Sequence, residues 1–304
     1  MAAIEQKSTF AVPKLAQDLI AGTIGGWAQV VVGHPFDTLK VRMQTQPSPP
    51  IYKNAMDCFN QLVRSEGPKG LYRGVASPLA GIGLCNAVVF MANGEFRRII
   101  RNGSDRELTI MEIGIAGALA GSVMSFFNCP IELLKVKLQT QDPAGVIGAN
   151  GKLEPSYKGV VDCGIRTVKA KGLAGVYRGL GITLLRDFPS YGLYFVTYEG
   201  LKRGFQSMKK NPEEKLSTFD LLMAGGLAGF SAWIPAFPQD VIKSRLQNDP
   251  RIKSTTEAFR TLIREAGAKS LLNGIGPAMA RAFPANAATF FAYEMAMNAM
   301  SNNA

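Results

Sequence analysis

The sequence holds a single histidine, His34, and four cysteines, Cys58, Cys85, Cys129 and Cys163, none of them in a CxxC pair. Zinc needs three or four closely spaced His, Cys or acidic ligands, so no metal site can be assembled around His34. The scattered cysteines read as free thiols and not as a secreted disulfide framework. Charge is scarce as well: Asp, Glu, Lys and Arg together make up 19% of the chain, too little for a highly solvated or disordered polymer. No nucleophile stands beside a partner base and no Gly-rich phosphate loop links a strand pattern to a helix, so an enzyme is not expected. The opening stretch, MAAIEQKSTFAVPK, lacks the apolar core of a secretory signal and the Arg-rich amphipathic pattern of a transit peptide. No cleavable presequence is evident, and targeting is expected to be internal.

What is present is apolar and heavily punctuated. Hydrophobic residues reach 47%, with 32 Gly and 17 Pro among 304 residues, more punctuation than a soluble helical protein usually carries. Membrane helices tolerate Gly and Pro because neighbouring helices and water-lined cavities satisfy the freed backbone groups. Mean hydropathy is nevertheless only +0.06, so the apolar helices must carry polar residues on one face, as a lined pathway would. The net charge of +11 suits either nucleic acid or anionic lipid and anionic solutes. Because the basic residues follow apolar segments and do not interleave with aromatics on a soluble face, the membrane reading is favoured and nucleic acid is not an expected partner.

One pattern occurs three times: PFDTLKVRMQ from Pro35, PIELLKVKLQ from Pro130 and PQDVIKSRLQ from Pro238. Each is followed by an echo, EGPKGLYRG from Glu66, KGLAGVYRG from Lys171 and a worn AGAKSLLNG from Ala266. The chain is therefore three units, 1–105, 106–212 and 213–304. Apolar stretches near 15–45, 75–98, 110–140, 178–202, 218–247 and 276–298 are each long enough for a spanning helix with some tilt. Between the members of each pair lies a polar amphipathic stretch that suits a short helix on the membrane surface. Gly22 and Gly26, Gly117 and Gly121, and Gly225 and Gly229 recur at matching places, and small residues at this spacing let helix backbones approach closely in lipid.

The repeated motif carries chemistry. Pro35, Pro130 and Pro238 would each kink a spanning helix, because proline removes a backbone bond and clashes with the preceding turn. Three kinked helices about a pseudo-threefold axis converge at one face. There Asp37, Glu132 and Asp240 are expected to pair with Lys40, Lys135 and Lys243 on neighbouring repeats. Ionised groups inside a membrane are costly and usually functional, so three acid and base sets at equivalent positions argue for a gate. Gln44, Gln139 and Gln247, nine residues after each proline, are placed to hydrogen-bond across those pairs.

The pattern Px[DE]xx[KR]x[KR]xQ, three times at this spacing, resembles the signature of the mitochondrial carrier family over the whole chain. The resemblance implies an all-α membrane protein: six tilted transmembrane helices in three pseudo-threefold repeats, each with a short amphipathic helix on the matrix side. It also implies a monomer in the mitochondrial inner membrane, a small-molecule substrate, no cofactor, and cardiolipin as a bound lipid at the helix starts after Gly74, Gly179 and Gly274, with Asn273 departing from the expected base. The proline ring becomes the matrix gate. The family's second network, [FY][DE]xx[KR] on the even helices, is intact only at Tyr198, Glu199 and Lys202. Met297 replaces the base after Tyr293 and Glu294; Asn93 and Gly94 stand before Arg97 where an aromatic and an acid belong. A weakly closing cytoplasmic gate made of Arg97, Glu199, Lys202 and Glu294 is the resulting expectation.

In this family the substrate contacts the second, fourth and sixth spanning helices, which points to Gly81, to Arg186 with Asp187, and to Arg281. A cation beside an anion suits a solute carrying carboxylate and ammonium, since isolated buried charges are costly. Arg281 would clamp the carboxylate and Asp187 face the ammonium, although Asp187 could equally neutralise Arg186. Gly81 would leave a roomy, uncharged contact, Cys85 stands where ornithine carriers usually have an acid, and His34 is either a cavity residue or a packed kink residue. The segments resemble both carnitine/acylcarnitine carriers and basic-amino-acid carriers. Other amino-acid carriers (glutamate or neutral amino acids), a keto-acid or nucleotide carrier, and a non-transporting membrane scaffold are the competing readings.

Overall fold

In a computed structural model, residues 14–47, 49–142, 144–147, 153–209, 216–249 and 251–301 are described. Residues 1–13, on which the presequence reading falls, lie outside them. Six long helices dominate: α1 (Lys14–Thr45), α3 (Ala76–Arg101), α4 (Ile110–Thr140), α6 (Leu180–Ser207), α7 (Thr218–Asn248) and α9 (Ile275–Ser301). Three short ones, α2 (Ala55–Glu66), α5 (Val160–Lys171) and α8 (Thr255–Ala266), sit between the members of each pair, as the amphipathic stretches predicted. A two-residue hairpin, β1 (Val146–Ile147) with β2 (Leu153–Glu154), is a small departure from an all-helical chain.

Local chemistry sets the boundaries. Thr109 and Ser217 start α4 and α7 with reciprocal capping boxes to Glu112 and Asp220. Asn54 and Ser254 cap α2 and α8 by accepting from the backbone N–H groups of Asp57 and Glu257. The final glycine of each echo adopts positive φ, 80° at Gly74, 87° at Gly179 and 82° at Gly274. A Cβ at Gly274 would stand 2.8 Å from the Lys40 carbonyl, and one at Gly74 would stand 3.1 Å from the Leu138 Cβ. Those glycines let each repeat lie tightly on the proline helix of the next.

Segments 68–101, 110–140 and 219–248 are long and apolar enough to cross a membrane. The helices α1, α6 and α9 have comparable length, 32, 28 and 27 residues. The helices close into a ring: α1 packs along α9, α3 along α4, α4 along α6 and α6 along α7, whereas α1 with α3 and α7 with α9 touch sparingly. Pro35, Pro130 and Pro238 lie inside continuous helices. Apolar clusters under the short helices, such as Leu39, Cys58, Leu62 and Leu71 beneath α2, brace the proline end.

The glycine expectation needs correction. In repeat 2, a Cβ at Gly117 or Gly121 would meet the rings of Phe195 or Tyr191 at 2.3 and 2.7 Å, the close packing expected. Gly26 likewise lies against Ile82. Gly22 and Gly229, however, have nothing within 4 Å, and Gly225 meets only the Tyr194 hydroxyl at 3.9 Å. In repeats 1 and 3 the paired long helices, α1 with α3 and α7 with α9, touch sparingly, unlike α4 with α6, so these three glycines face open space.

Candidate functional site

About two and a half turns of proline helix separate each motif's proline from its glutamine, and the acid, base and amide lie along this stretch. All three acids find the base of the following repeat. Asp37 pairs with Lys135 at 2.6 Å, Asp240 with Lys40 at 2.7 Å, and Glu132 with Lys243. These pairs form a closed ring joining α1, α4 and α7. A cavity of only about 50 Å³ remains among them.

The glutamines behave unequally. Gln44 donates to Asp240 at 3.1 Å and so braces its pair. Gln139 instead donates to the Thr38 hydroxyl at 3.0 Å, with His34 Nε2 at 3.4 Å, and Gln247 donates to the Arg178 carbonyl at 3.3 Å. Of the three amides expected to bond across the pairs, one reaches a ring carboxylate, and it bonds the acid alone. Thr38 and Arg178 offer closer acceptors to the other two, a choice that spacing along one helix cannot reveal.

Arg186 and Arg281 reach down to the same ring. Arg186 Nε donates to Asp187 at 2.7 Å, its Nη1 to Asp240 at 2.7 Å, and its Nη2 lies 3.3 Å from Glu132. Arg281 Nε forms an ion pair with Asp37 at 2.9 Å, lying across Gly33, where a Cβ would stand 2.7 Å from that nitrogen. Asp187 also accepts from the Ser125 hydroxyl at 2.9 Å. Five cations thus face four carboxylates in one cluster. Gly33 and Ser125 were not singled out in the sequence, because a small residue acquires this meaning only from the side chain that lies on it.

Three expected contacts are placed differently. His34 is fully buried, stacks on Tyr72 and bonds through Nε2 to the Arg73 carbonyl at 2.9 Å, so it is the packed kink residue and not a cavity contact. Gly81 is buried, and a Cβ there would meet Ile131 at 2.6 Å. The roomy contact expected at Gly81 is filled by that isoleucine. Cys85 is half-buried with a free thiol, as are the other three cysteines, all buried.

The motif's second base has a role of its own. Arg42 bonds Glu66 at 2.6 Å and the Gln139 carbonyl at 3.0 Å; Arg245 bonds Glu265 at 2.9 Å and the Gln46 carbonyl; Lys137 bonds Thr167 at 2.9 Å. Each ties a proline helix to its own short helix, and the two arginines also reach the next repeat.

The opposite end is not closed by ions. Glu199 pairs with Lys202 and Arg203 of its own helix at 3.4 and 3.1 Å, Arg97 lies over Phe195 at 5.8 Å, and Glu294 is exposed. Among the described residues no ion pair links α3, α6 and α9 there. A cavity of about 360 Å³ lies between Arg97, Arg101, Leu108 and Glu199.

A ring of charged pairs shut at one end of a three-repeat helical bundle, with its counterpart apart at the other, defines a membrane transport protein of the alternating-access kind. The mitochondrial carrier protein family matches residues 12–104, 106–209 and 214–304. The chain belongs to that family. It is 41% identical over 296 residues to the mitochondrial carnitine/acylcarnitine carrier-like protein of Arabidopsis thaliana, covering 93% of this chain and 98% of that one. It is 40% identical to the mitochondrial carnitine/acylcarnitine carrier protein of Rattus norvegicus, covering 94% of each. It is also 40% identical to the mitochondrial basic amino acids transporter of the same species, covering 91% of this chain and 87% of that one.

Proposed function

We propose that this carrier exchanges a zwitterionic, amino-acid-like solute, carnitine and its acyl esters or a basic amino acid, across the mitochondrial inner membrane. The observation that carries the reading is Arg186 bonded to its neighbour Asp187 at 2.7 Å, with Arg281 reaching the same charged ring. Isolated charges in low dielectric are costly, so two guanidinium groups with a neighbouring carboxylate suit a solute that carries both signs. Arg281 and Arg186 take the solute's carboxylate, each able to bind it bidentately. As Arg186 turns to the solute, Asp187 becomes free for the solute's ammonium. The same step draws both guanidinium groups from Asp37, Asp240 and Glu132, so binding weakens the closed ring, the differential affinity that any ligand-driven change requires.

The even helices supply the other gate. Acid and base three residues apart are offset by about 60° around a helix, and the sense of that offset reverses when the helix runs the other way through the membrane. In the proline ring the acid of one repeat meets the base of the next; on the antiparallel even helices the base of one repeat therefore meets the acid of the next. Arg97 would pair with Glu199 and Lys202 with Glu294, which leaves Gly94 opposite Met297, a pair from which both charges are missing together. The cytoplasmic gate then has two full ion pairs. Cardiolipin at the starts of the even helices, a monomeric state, and repeat limits of 1–105, 106–212 and 213–304 complete the reading.

The test is uptake by purified protein in cardiolipin-containing liposomes preloaded with carnitine, arginine, lysine, ornithine or glutamate. Exchange of carnitine or of a basic amino acid, abolished by Arg186→Ala and by Asp187→Asn, is the expected result. Absence of exchange for all of these solutes would overturn the substrate class.

A further inference from the structure

Among the described residues, Lys40 is the one ring lysine that lies over aromatic faces. Its Nζ is 4.4 Å from the centroid of Trp233 and 5.7 Å from that of Phe237, while it remains 2.7 Å from Asp240. The two rings are 6.4 Å apart and tilted by 52°, and Trp233 packs on the buried cluster of Phe237, Val241 and Leu262. Trp233 precedes Pro238 by five residues and Phe237 precedes it by one. At the corresponding positions repeat 1 has Val30 and His34, and repeat 2 has Ser125 and Cys129. An aromatic support beneath the acid is thus peculiar to repeat 3.

The acid of the pair it supports also has the most partner residues of the three. Asp240 takes Lys40, Gln44 at 3.1 Å and Arg186 at 2.7 Å. Its side chain is 7% exposed, against 27% for Glu132 in the repeat 2 to repeat 3 pair. A lysine ammonium over a tryptophan face is attracted by the ring quadrupole, more strongly where water is excluded.

We propose that Trp233 is a positioning residue of the ring: its face holds the Lys40 ammonium against Asp240 and so strengthens the repeat 3 to repeat 1 pair. This rests on the geometry of the closed ring and not on which solute is carried. Its failure is therefore distinguishable from failure of the substrate assignment.

The sequence has two tryptophans, and Trp27 is an exposed one that donates to the Leu79 carbonyl, so Trp27→Phe leaves Trp233 alone. In that background, Trp233 is replaced biosynthetically by mono-, di- and trifluorotryptophan, and thermal unfolding of the solute-free carrier is followed. Fluorine drains the ring quadrupole with little change in volume. A stepwise fall in melting temperature is expected, roughly 2–4 °C across the series, with the slope lost in Lys40→Gln and retained in Lys135→Gln. A flat or rising series, or an unchanged slope in Lys40→Gln, would overturn the proposal. Because the series scarcely alters packing, it decides the matter even where Lys40→Gln does not fold.

Discussion

Replacing Asp37 with Asn tests the ring where its charges are simplest to follow. Asp37 receives Lys135 at 2.6 Å and Arg281 at 2.9 Å, and the carboxylate is 18% exposed. At an effective dielectric of about 20, one such contact corresponds to roughly 4–6 kcal/mol of Coulomb energy, most of it offset by desolvation. Removing one partner leaves the others buried without compensation, which typically costs about 3–5 kcal/mol. The residual exposure places the expected loss at the lower end, about 3 kcal/mol. Unfolding can be followed with a thiol-reactive fluorophore, because Cys58 and Cys163 are fully buried and burial pushes both thiols up to about 11. They react when the bundle opens. Lys135→Met alone should also destabilise, and the double variant should be less destabilised than the sum by about 2 kcal/mol, since it leaves no orphan lysine. If the two single effects add to within about 0.5 kcal/mol, the ring is not coupled as the geometry says.

Two further outcomes follow from packing and charge. Gly117→Ala and Gly121→Ala should each cost about 1–3 kcal/mol through collision with Phe195 and Tyr191, whereas Gly229→Ala, with open space around it, should be neutral or stabilising by up to about 1 kcal/mol; melting curves of the three variants compare them directly. At the other end, Met297→Lys alone should leave exchange slow or unchanged, because Gly94 offers it no acid. Together with Gly94→Glu it should add an ion pair and shift the carrier toward the state closed on that side, read by the accessibility of a cysteine engineered below the gate; an equal shift from the single variant would refute the pairing order.

Much of this was legible in the sequence because it was written three times. The proline motif, the echo ending in glycine and the alternation of long and short helices each recurred at matching places, so a single reading was checked twice within one chain. The ring residues follow from that repetition: identical spacing puts an acid and a base at the same place on three related helices. What escaped the sequence was whatever the repeats do differently. Gln44, Gln139 and Gln247 look alike in their motifs, yet Thr38 and the Arg178 carbonyl capture two of them. Gly81 looked like an open contact until Ile131 of the next repeat filled it.

The sequence alone therefore determined the family, the three-repeat bundle and the residues of the charged ring, since these depend on spacing along helices that every repeat shares; the structure decided that each acid meets the base of the following repeat. Only the tertiary structure decided that His34 is buried packing and that Arg186 and Arg281 reach the ring's acids. It also placed Lys40 on Trp233. Those are contacts between residues far apart in the chain, most of them in different repeats, fixed by which side chain on a neighbouring element is long, small or already bonded, and no local pattern encodes that.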